Sequence, residues 1–293
     1  MATFNGRSYL ESQVESILNQ SGVRIEIDVI DDGSTDGTLK LLEELRLKNK
    51  INSLRTSQRL GASKVFQKLL IDAKPADFYA FSDQDDIWES RKLESQIKLI
   101  NTSSPTLVIC SRQYIDSNGE ILRKPTERGK IPSFNNAMVE NIASGNTQLM
   151  NQELRDILIT IEYTPKHFDF FIYLIASGCG EVIRHENHLV NYRLHETNAI
   201  GLGKKSFSHF KELIKDSRDQ CQFALSYFRL IDSEKAAFLH TYMQVFHSRF
   251  LIQRIYKSLL SNIRRQSMAQ TILWKMVSPF LKKSQNELKS SNS

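Results

Sequence analysis

Three carboxylates follow a short aromatic run of the chain, and their types and spacing suit them to chemistry. The run, Phe78 to Phe81, is typical of a strand buried on both faces. Asp83, Asp85 and Asp86 come directly after it. Carboxylates this close repel one another, so a folded protein keeps them ionised only where a divalent cation, a basic partner or bulk water compensates. The pattern predicts either a Mg²⁺ or Mn²⁺ site that also takes substrate phosphates, or a solvated acidic turn.

A second acidic strand end lies upstream and favours the metal site. Apolar residues from Ile25 to Ile30 predict a strand that ends at Asp31 and Asp32, followed by the turn Gly33–Gly37. In open sheets built from alternating strands and helices, ligands bind beyond the carboxyl ends of the strands, where both clusters fall. The sequence has neither a G-x-x-x-x-G-K-[ST] loop nor a G-x-G-x-x-G turn. A metal held by carboxylates is therefore the remaining route to phosphate binding.

The elements that position these residues alternate between helix and strand. Hydrophobic spacing predicts helices over about 8–19, 39–45 and 65–70, and a weaker strand over 51–54. Such alternation predicts an α/β fold, a doubly wound and mostly parallel sheet with helices on both faces.

Composition limits the class of protein. The 293 residues are 40% hydrophobic and 25% charged, as in ordinary globular proteins, and the net charge is +6. No run approaches the roughly 20 apolar residues that cross a bilayer, and no secretion signal is visible, so we expect a cytoplasmic protein. The three cysteines are far apart and form no C-x-x-C pair, which indicates buried thiols and not a zinc site or disulfide framework.

Several motifs in order along the chain resemble one enzyme family. They are the stretches 2–6, 31–38, 81–88, 144–147, 167–171 and 192–198, which read ATFNG, DDGSTDGT, FSDQDDIW, SGNT, HFDFF and YRLHETN. Together they resemble the family 2 glycosyltransferases, in particular the bacterial rhamnosyltransferase-like branch, over roughly the first two hundred residues. The resemblance implies a GT-A fold, a dTDP- or UDP-sugar donor and a divalent metal.

The resemblance also implies roles for single residues. Donor binding falls to Thr3, Phe4, Asn5, Asp32, Asp83 and Arg193. Phe4 corresponds to an aromatic residue beside the base, and Asp32 to a carboxylate that contacts the nucleoside. Asp83 and Asp85 match the D-x-D element, and His195 completes the predicted metal ligands for Mg²⁺ or Mn²⁺. Alternatives stay open at three positions: Phe4 as a core residue, Asp32 as a helix N-cap, and His195 as a surface or packing residue.

Asp169 matches the family's general base, which takes the proton from an acceptor hydroxyl during attack on the sugar. It lies within an apolar stretch, where an idle carboxylate would be costly to bury. The motif departs from the usual branch, which has His directly before the base and Trp after it. Here His167 is one position farther away and Phe170 and Phe171 replace Trp. The departure leaves the acceptor contacts open.

The last ninety residues differ in character from the rest. We expect a catalytic domain over 1–203 and a helical, basic accessory region over 204–293. Between Thr241 and Phe280 there is no acidic residue, while basic residues alternate with aliphatic and aromatic ones. A nucleic-acid surface is conceivable, but no nucleic-acid-binding motif accompanies it. An interfacial helix on an anionic membrane surface fits better and predicts a peripheral protein on the inner face of the cell membrane.

These observations predict a metal-dependent inverting hexosyltransferase, with rhamnose as a candidate sugar. Its acceptor is a lipid-linked oligosaccharide, the precursor of a cell-surface polysaccharide. Two alternatives stay open: a catalytically silent sugar-nucleotide-binding relative, and a nucleotidyltransferase on a similar acidic scaffold. Relatives carry a hydrophobic strand just before the motif at 2–6, whereas only Met1 precedes it here. The sequence therefore predicts a truncated first strand and a gap between its neighbours in the sheet.

Overall fold

The structure is a computed structural model, and its chain forms two compact units. It describes residues 1–123, 131–162, 164–195, 207–248 and 250–281. The first unit comprises 1–130, 142–176 and 180–201, and the second comprises 131–141, 177–179 and 202–293. The predicted boundary after residue 203 lies outside the described residues. The two short internal segments of the second unit were not predicted from composition.

The first sheet is parallel and has the order β1-β2-β3. Its strands are β1 (Ala2–Thr3), β2 (Asp28–Asp31) and β3 (Ser53–Thr56). The helices α1 (Arg7–Leu18), α2 (Thr38–Leu47) and α3 (Ala62–Asp72) follow these strands in turn, because parallel strands need crossover connections. The three predicted helices are confirmed to within a few residues. The strand predicted from Ile25 begins only at Asp28.

The second sheet is mixed, which the alternation of elements did not predict. Its strands are β4 (Phe78–Ala80), β5 (Ile87–Trp88), β6 (Thr106–Ile115), β7 (Ile121–Arg123), β8 (Gln148–Asn151) and β9 (Glu181–Arg193). The order is β4-β8-β6-β9-β5, with β7 beside β6. Only the β6–β9 pair is parallel among the described pairs of this sheet. The long β6 and β9 carry most of its pairing.

The remaining helices are α4 (Lys92–Ile97), α5 (Phe134–Ala137), α6 (Gln152–Ile159), α7 (Phe168–Cys179), α8 (Phe207–Ser226), α9 (Ser233–His247), α10 (Leu251–Leu260) and α11 (Met268–Val277). Short 3₁₀ helices cover Gly145–Thr147, Phe228–Leu230 and Ser278–Phe280. No helix among the described residues is long and apolar enough to cross a membrane.

Alternate residues of β2 point into two separate hydrophobic clusters. Val29 packs with Leu10 and Val14 of α1. Its neighbour Ile30 packs with Val65 of α3 in the other cluster. Because successive strand residues face opposite sides of a sheet, the first sheet is covered on both faces, as predicted. This packing fixes the strand ends and hence the loops that carry the acidic residues.

Candidate active site

The loops after β1, β2 and β4 meet at one edge of the first unit. Gln84, between the acidic residues after β4, accepts a hydrogen bond from the Phe4 amide at 2.7 Å and donates one to the Phe4 carbonyl at 2.8 Å. The Asn5 amide donates to Ser34 Oγ at 2.9 Å, in the turn after β2. A Cβ at Gly6 would lie 2.1 Å from Gln84 Cδ, so glycine is needed for this close approach. The contacts confirm that both acidic strand ends face the same edge.

Asp32 lies at this edge in a cradle of three donors. Its carboxylate accepts from Ser57 Oγ at 2.6 Å, the Leu60 amide at 2.7 Å and the Gly61 amide at 2.8 Å. Burial opposes ionisation, but these hydrogen bonds and the charge of Arg59 outweigh it and lower the pKa of Asp32. The alternative that Asp32 caps the following helix is wrong, since α2 begins at Thr38, after Gly37. Asp32 is thus a fixed, ionised acceptor.

The Phe4 ring is partly open to solvent and lies under Arg59, the residue before Leu60 of the Asp32 cradle. Its relative exposure is 36%, so the alternative of a core residue is wrong. The Arg59 guanidinium stacks over the ring, 4.0 Å from its centroid. Arg59 belongs to no motif and was not predicted, and its backbone has a positive φ of 55°. A flat aromatic face, a cation and a carboxylate acceptor together suit a nucleobase.

Thr3 and Asn5 hold the loops in place. Thr3 is buried, and its hydroxyl donates to Asp31 Oδ1 at 2.9 Å. Asn5 has a positive φ of 50°, and its side chain accepts from the Thr35 amide at 2.9 Å. The contacts that the structure gives these two side chains are to the loops, so their predicted donor contacts stay predictions.

The three carboxylates after β4 lie in a crowded, partly buried cluster. Burial and the neighbouring charges of Asp85 and Asp169 raise the pKa of Asp83 to about 7. Asp86 is fully buried, and burial together with the charges of Asp83 and Asp85 raises its pKa well above the usual range. The alternative of a solvated acidic turn is therefore wrong for Asp86. The cluster carries more negative charge than its surroundings favour.

His195 pairs directly with Asp85. Its Nε2 lies 2.8 Å from Asp85 Oδ2, and the two side chains are only 11% and 14% exposed. The imidazole also packs against the Tyr9 ring, with centroids 5.0 Å apart. His195 is therefore not a surface residue. Its imidazole lies next to the Asp85 carboxylate.

Arg193 is buried beneath this pair. Its guanidinium donates to the main-chain carbonyls of Asp85, Asp116 and Ser117, each at 3.0 Å, and stacks over Tyr9. These bonds fix the backbone of the acidic loop. The predicted contact of Arg193 with a diphosphate stays a prediction, and the observed geometry gives this residue a positioning role.

Asp169 lies in the first turn of α7, facing the acidic cluster. Its negative charge is one of the causes that raise the pKa of Asp83. Gln148 Nε2 donates to the main-chain carbonyl of Asp169 at 3.0 Å. The Phe170 amide donates to Asp169 Oδ1 at 2.8 Å. A Cβ at Gly145 would lie 3.6 Å from Asp169 Cβ, so the start of the 3₁₀ helix Gly145–Thr147 lies against the Asp169 side chain.

Asn146 and Lys92 support the cluster from below, and neither role was predicted. Asn146 Nδ2 donates to Asp86 Oδ2, and the Arg193 amide donates to Asp86 Oδ1 at 3.3 Å. Lys92 is fully buried with its ammonium 3.9 Å from the Trp88 ring centroid. Burial lowers the pKa of Lys92 to about 8, while the charge of Asp86 acts in the opposite direction. The motif at 144–147 contains Asn146, but the family resemblance implied no role for this residue.

The carboxylate oxygens of the cluster are of the kind that Mg²⁺ and Mn²⁺ prefer, whereas the imidazole of His195 is a ligand more typical of softer metals. Among the described residues, no group of three or more His, Cys, Asp or Glu side chains is arranged so that it could hold a metal ion. Metal binding by Asp83, Asp85 and His195 therefore stays a prediction.

Solved structures with the same architecture define the class of fold. The chain matches S. aureus TarS 1–349 in complex with UDP-GlcNAc with a TM-score of 0.60 and 18% identity, over 96% of this chain and 82% of that one. It matches the mannosyltransferase PcManGT from Pyrobaculum calidifontis, in complex with GDP-Man and Mn²⁺, with a TM-score of 0.52 and 15% identity, over 96% and 86%. The fold is of the GT-A type, as predicted.

The sequence places the chain in a family within that class. The model of glycosyl transferase family 2 matches residues 1–173, and the chain belongs to this family. It is 31% identical to the dTDP-rhamnosyl transferase RfbG of Shigella flexneri, over 64% of this chain and 54% of RfbG. It is 28% identical to the Escherichia coli UDP-Glc:alpha-D-GlcNAc-diphosphoundecaprenol beta-1,3-glucosyltransferase WfaP, over 74% and 82%. The match with RfbG spans about half of that relative's length.

Proposed function

We propose that the protein is a metal-dependent, inverting glycosyltransferase that moves a sugar from a nucleotide-sugar donor to a hydroxyl of a lipid-linked polysaccharide precursor. The observation that carries this is the shared edge of the first unit. There the exposed Phe4 ring under Arg59 and the Asp32 carboxylate share one edge with the crowded carboxylates Asp83 and Asp85, and Asp169 is close enough to perturb the pKa of Asp83.

The donor's base would stack on the Phe4 ring. Arg59 would either move away from the ring or stack on the opposite face of the base. Asp32 would accept a hydrogen bond from a base N–H, because its cradle holds it ionised and oriented. A pyrimidine with an N–H, as in UDP- or dTDP-sugars, offers such a donor. Thr3 and Asn5 keep the two loops at the right separation.

Asp83, Asp85 and His195 would hold Mg²⁺ or Mn²⁺, which would neutralise the charge on the departing nucleoside diphosphate. Burial raises the pKa of Asp83, and repulsion from Asp85 and Asp169 raises it further. A bound cation would relieve this repulsion. The main-chain bonds of Arg193 keep the Asp85 loop in position for this task.

Asp169 would act as the general base. A carboxylate at the start of α7 can take the proton of an acceptor hydroxyl while the oxygen attacks the anomeric carbon in line with the leaving phosphate. Attack from the side opposite the leaving group inverts the configuration at that carbon. Gln148 fixes the main-chain carbonyl of Asp169 through a hydrogen bond. Gly145 lies beside the Asp169 side chain.

The relatives support the finer assignments. RfbG is named as a dTDP-rhamnosyl transferase, which supports rhamnose as the sugar. WfaP is named for a diphosphoundecaprenol-linked acceptor, which supports a lipid-linked substrate.

A calorimetric screen of UDP-, dTDP- and GDP-sugars, with Mn²⁺ and with EDTA, tests this proposal. We expect one pyrimidine donor to bind with Mn²⁺ and to lose at least about tenfold in affinity in EDTA, since the ion bridges donor and protein. Binding without turnover in the presence of a lipid-linked acceptor mixture would support the catalytically silent relative. Preference for a GDP-sugar would contradict the assignment of Phe4 and Asp32.

We further propose that the second unit attaches the protein to an anionic membrane surface. Helix α10 turns its polar side inward: Arg254 and Ser258 are buried, while Ile252 is 81% exposed and Leu260 is 66% exposed. The outward apolar face of α10, α11 and the following turn consists of Ile252, Tyr256, Leu259, Leu260, Met268, Ile272, Met276 and Phe280. An apolar face turned to solvent, in a segment that has basic residues and no acidic ones, suits the headgroup boundary of anionic lipids.

Sedimentation with vesicles containing phosphatidylglycerol is expected to be strong at low salt and to fade at high salt. Each basic residue near such a surface contributes about 1 kcal/mol, and salt screens this attraction. The pair Ile252→Ser and Leu260→Ser should reduce the bound fraction severalfold. Leu47→Ser is the matched control, since Leu47 is 76% exposed but lies in α2. Equal binding to neutral vesicles, or none to anionic ones, would contradict the proposal.

A further inference from the structure

The segment 145–148 lies between the acidic loop after β4 and the start of α7, and it contacts both. On one side, Asn146 Nδ2 donates to Asp86 Oδ2 in the acidic loop. On the other side, Gln148 Nε2 donates to the main-chain carbonyl of Asp169 at 3.0 Å. One short segment therefore joins the acidic loop to the carboxylate at the start of α7.

The segment 145–148 is itself held by the second sheet and by α4. It begins as a 3₁₀ helix and ends in the first residue of β8, which lies between β4 and β6 in the sheet. Gln96 Nε2, from α4, donates to the Thr147 carbonyl at 2.9 Å. Asn146, Thr147 and Gln148 are all buried. Because close-packed interiors transmit strain, a displacement at one end of this segment reaches the other end.

The acidic end of this connection depends on Asn146. Asp86 is fully buried, and its two oxygens accept from Asn146 Nδ2 and, at 3.3 Å, from the Arg193 amide. The buried ammonium of Lys92 lies over the Trp88 ring and has no hydrogen-bond partner among the described residues. Within the described part of the chain, Asn146 is thus the side chain that donates a hydrogen bond to Asp86. A buried carboxylate that loses such a donor must move or take up a proton.

We propose that Asn146 is a positioning residue that fixes the spacing between the acidic loop and Asp169. Its bond to Asp86 sets the position of the loop, and Gln148 passes this position on to the start of α7. The role rests on the proposed function, in which the loop holds the donor and Asp169 activates the acceptor hydroxyl. The two reacting atoms must then meet, and a misplacement of about 1 Å costs a rate on the order of a hundredfold.

A double-mutant cycle on kcat tests whether the two contacts act in series. Asn146→Leu removes the bond to Asp86, and Gln148→Leu removes the bond to Asp169. Each variant should lower kcat by about tenfold or more. The double variant should lie within about threefold of the slower single variant, because a connection that is already broken cannot be broken again. Losses that multiply would show two independent roles and would overturn the proposal.

Asn191→Leu is the matched control for these variants. Asn191 Nδ2 donates to Glu89 Oε1 at 2.8 Å, so it makes the same kind of amide–carboxylate bond in an exposed pair outside the segment. Its removal should leave kcat within about twofold of the wild type, as expected of an exposed pair. Thermal melting of every variant verifies that it is folded.

A swapped pair tests the bond itself if a leucine variant fails to fold. Asp86→Asn alone sets an amide N–H against one of its two donors, and Asn146→Asp alone sets two carboxylates against each other. The double variant restores one donor and one acceptor and keeps the net charge. It should recover kcat by about tenfold or more over the slower single variant. A folded double variant with no recovery would overturn the role of this bond.

Amide exchange measures the connection without any substrate. The Arg193 amide bonds to Asp86 Oδ1, and the Phe170 amide bonds to Asp169 Oδ1 at 2.8 Å. Asn146→Leu should speed exchange at both amides by about tenfold or more, whereas Asn191→Leu should speed neither. Acceleration at Arg193 with none at Phe170 would overturn the proposal.

The exchange experiment also separates this role from the proposed function. Its readout needs neither donor nor acceptor, so its failure would overturn the positioning role of Asn146 and leave sugar transfer untouched. A wild-type protein that transfers no sugar would instead contradict the proposed function, whatever the exchange rates of the variants.

Discussion

Asp85→Asn is expected to abolish metal-dependent donor binding while the protein stays folded. The side chain keeps its shape and can still bond to His195, from which Asp85 lies 2.8 Å. It loses the charge that would hold the cation. A metal ion supplies several kcal/mol of charge stabilisation, so turnover should fall by about a thousandfold or more. Sugar transfer is measured with radiolabelled donor across a Mn²⁺ titration.

Asp77→Asn is the matched control for this variant. Asp77 is an exposed carboxylate at the opposite end of the same strand, so its loss should leave the Mn²⁺ dependence unchanged. Circular dichroism melting verifies that both variants fold. If EDTA and Asp85→Asn both leave transfer at the wild-type rate, the assignment of a metal to Asp83, Asp85 and His195 is wrong.

Asp169→Asn is expected to lower kcat by about a hundredfold or more, with donor affinity near that of the wild type. General-base catalysis contributes about 10²–10⁴-fold, and it acts in the chemical step and not in donor binding. The amide keeps the size of the carboxylate and the position at the start of α7. Single-turnover kinetics and calorimetry on the same preparation separate the two effects.

A conservative pair of variants sharpens this test. Asp169→Glu retains a base but displaces it, so it should recover part of the rate that Asp169→Asn loses. Gln148→Leu removes the bond to the Asp169 carbonyl and should lower kcat less than Asp169→Asn does. Loss of donor binding in a folded Asp169→Asn protein would instead make Asp169 a donor ligand.

The acidic edge could be predicted because its signals are local. The aromatic run before Asp83 and the apolar run before Asp31 mark strand ends within a few residues. β2 and β4 lie in different sheets, and contacts of the loops after β1, β2 and β4 bring these ends together. The helices of the first sheet were predicted for the same reason, since a 3.6-residue period is visible within one element.

The mixed second sheet could not be predicted, because its pairing joins distant segments. β9 (Glu181–Arg193) is rich in polar residues that disfavour strands, yet β6 on one side and β5 on the other pair with it. Tertiary pairing overrides such local propensities. Only the motif at 192–198 marked this segment, through the residues that end β9 and follow it.

The supporting residues of the site escaped prediction for a related reason. Gln84 contacts Phe4 across eighty positions of sequence, and Asn146 contacts Asp86 across sixty. Arg59 lies in a loop with no periodic pattern, and only its contact with the Phe4 ring indicates a role at the site. Single polar residues carry no signal of their partners, so the structure was needed to find them.

Identifying the product released from the donor tests the proposed sugar transfer most directly. The purified protein is incubated with the donor found by calorimetry, Mn²⁺ and a polyprenyl-diphosphate-linked acceptor, and the nucleotide products are separated by anion-exchange chromatography. We expect a nucleoside diphosphate in one-to-one ratio with a glycosylated acceptor of inverted anomeric configuration, and none in EDTA. Release of pyrophosphate, or acceptor-dependent transfer that persists in EDTA, would contradict it.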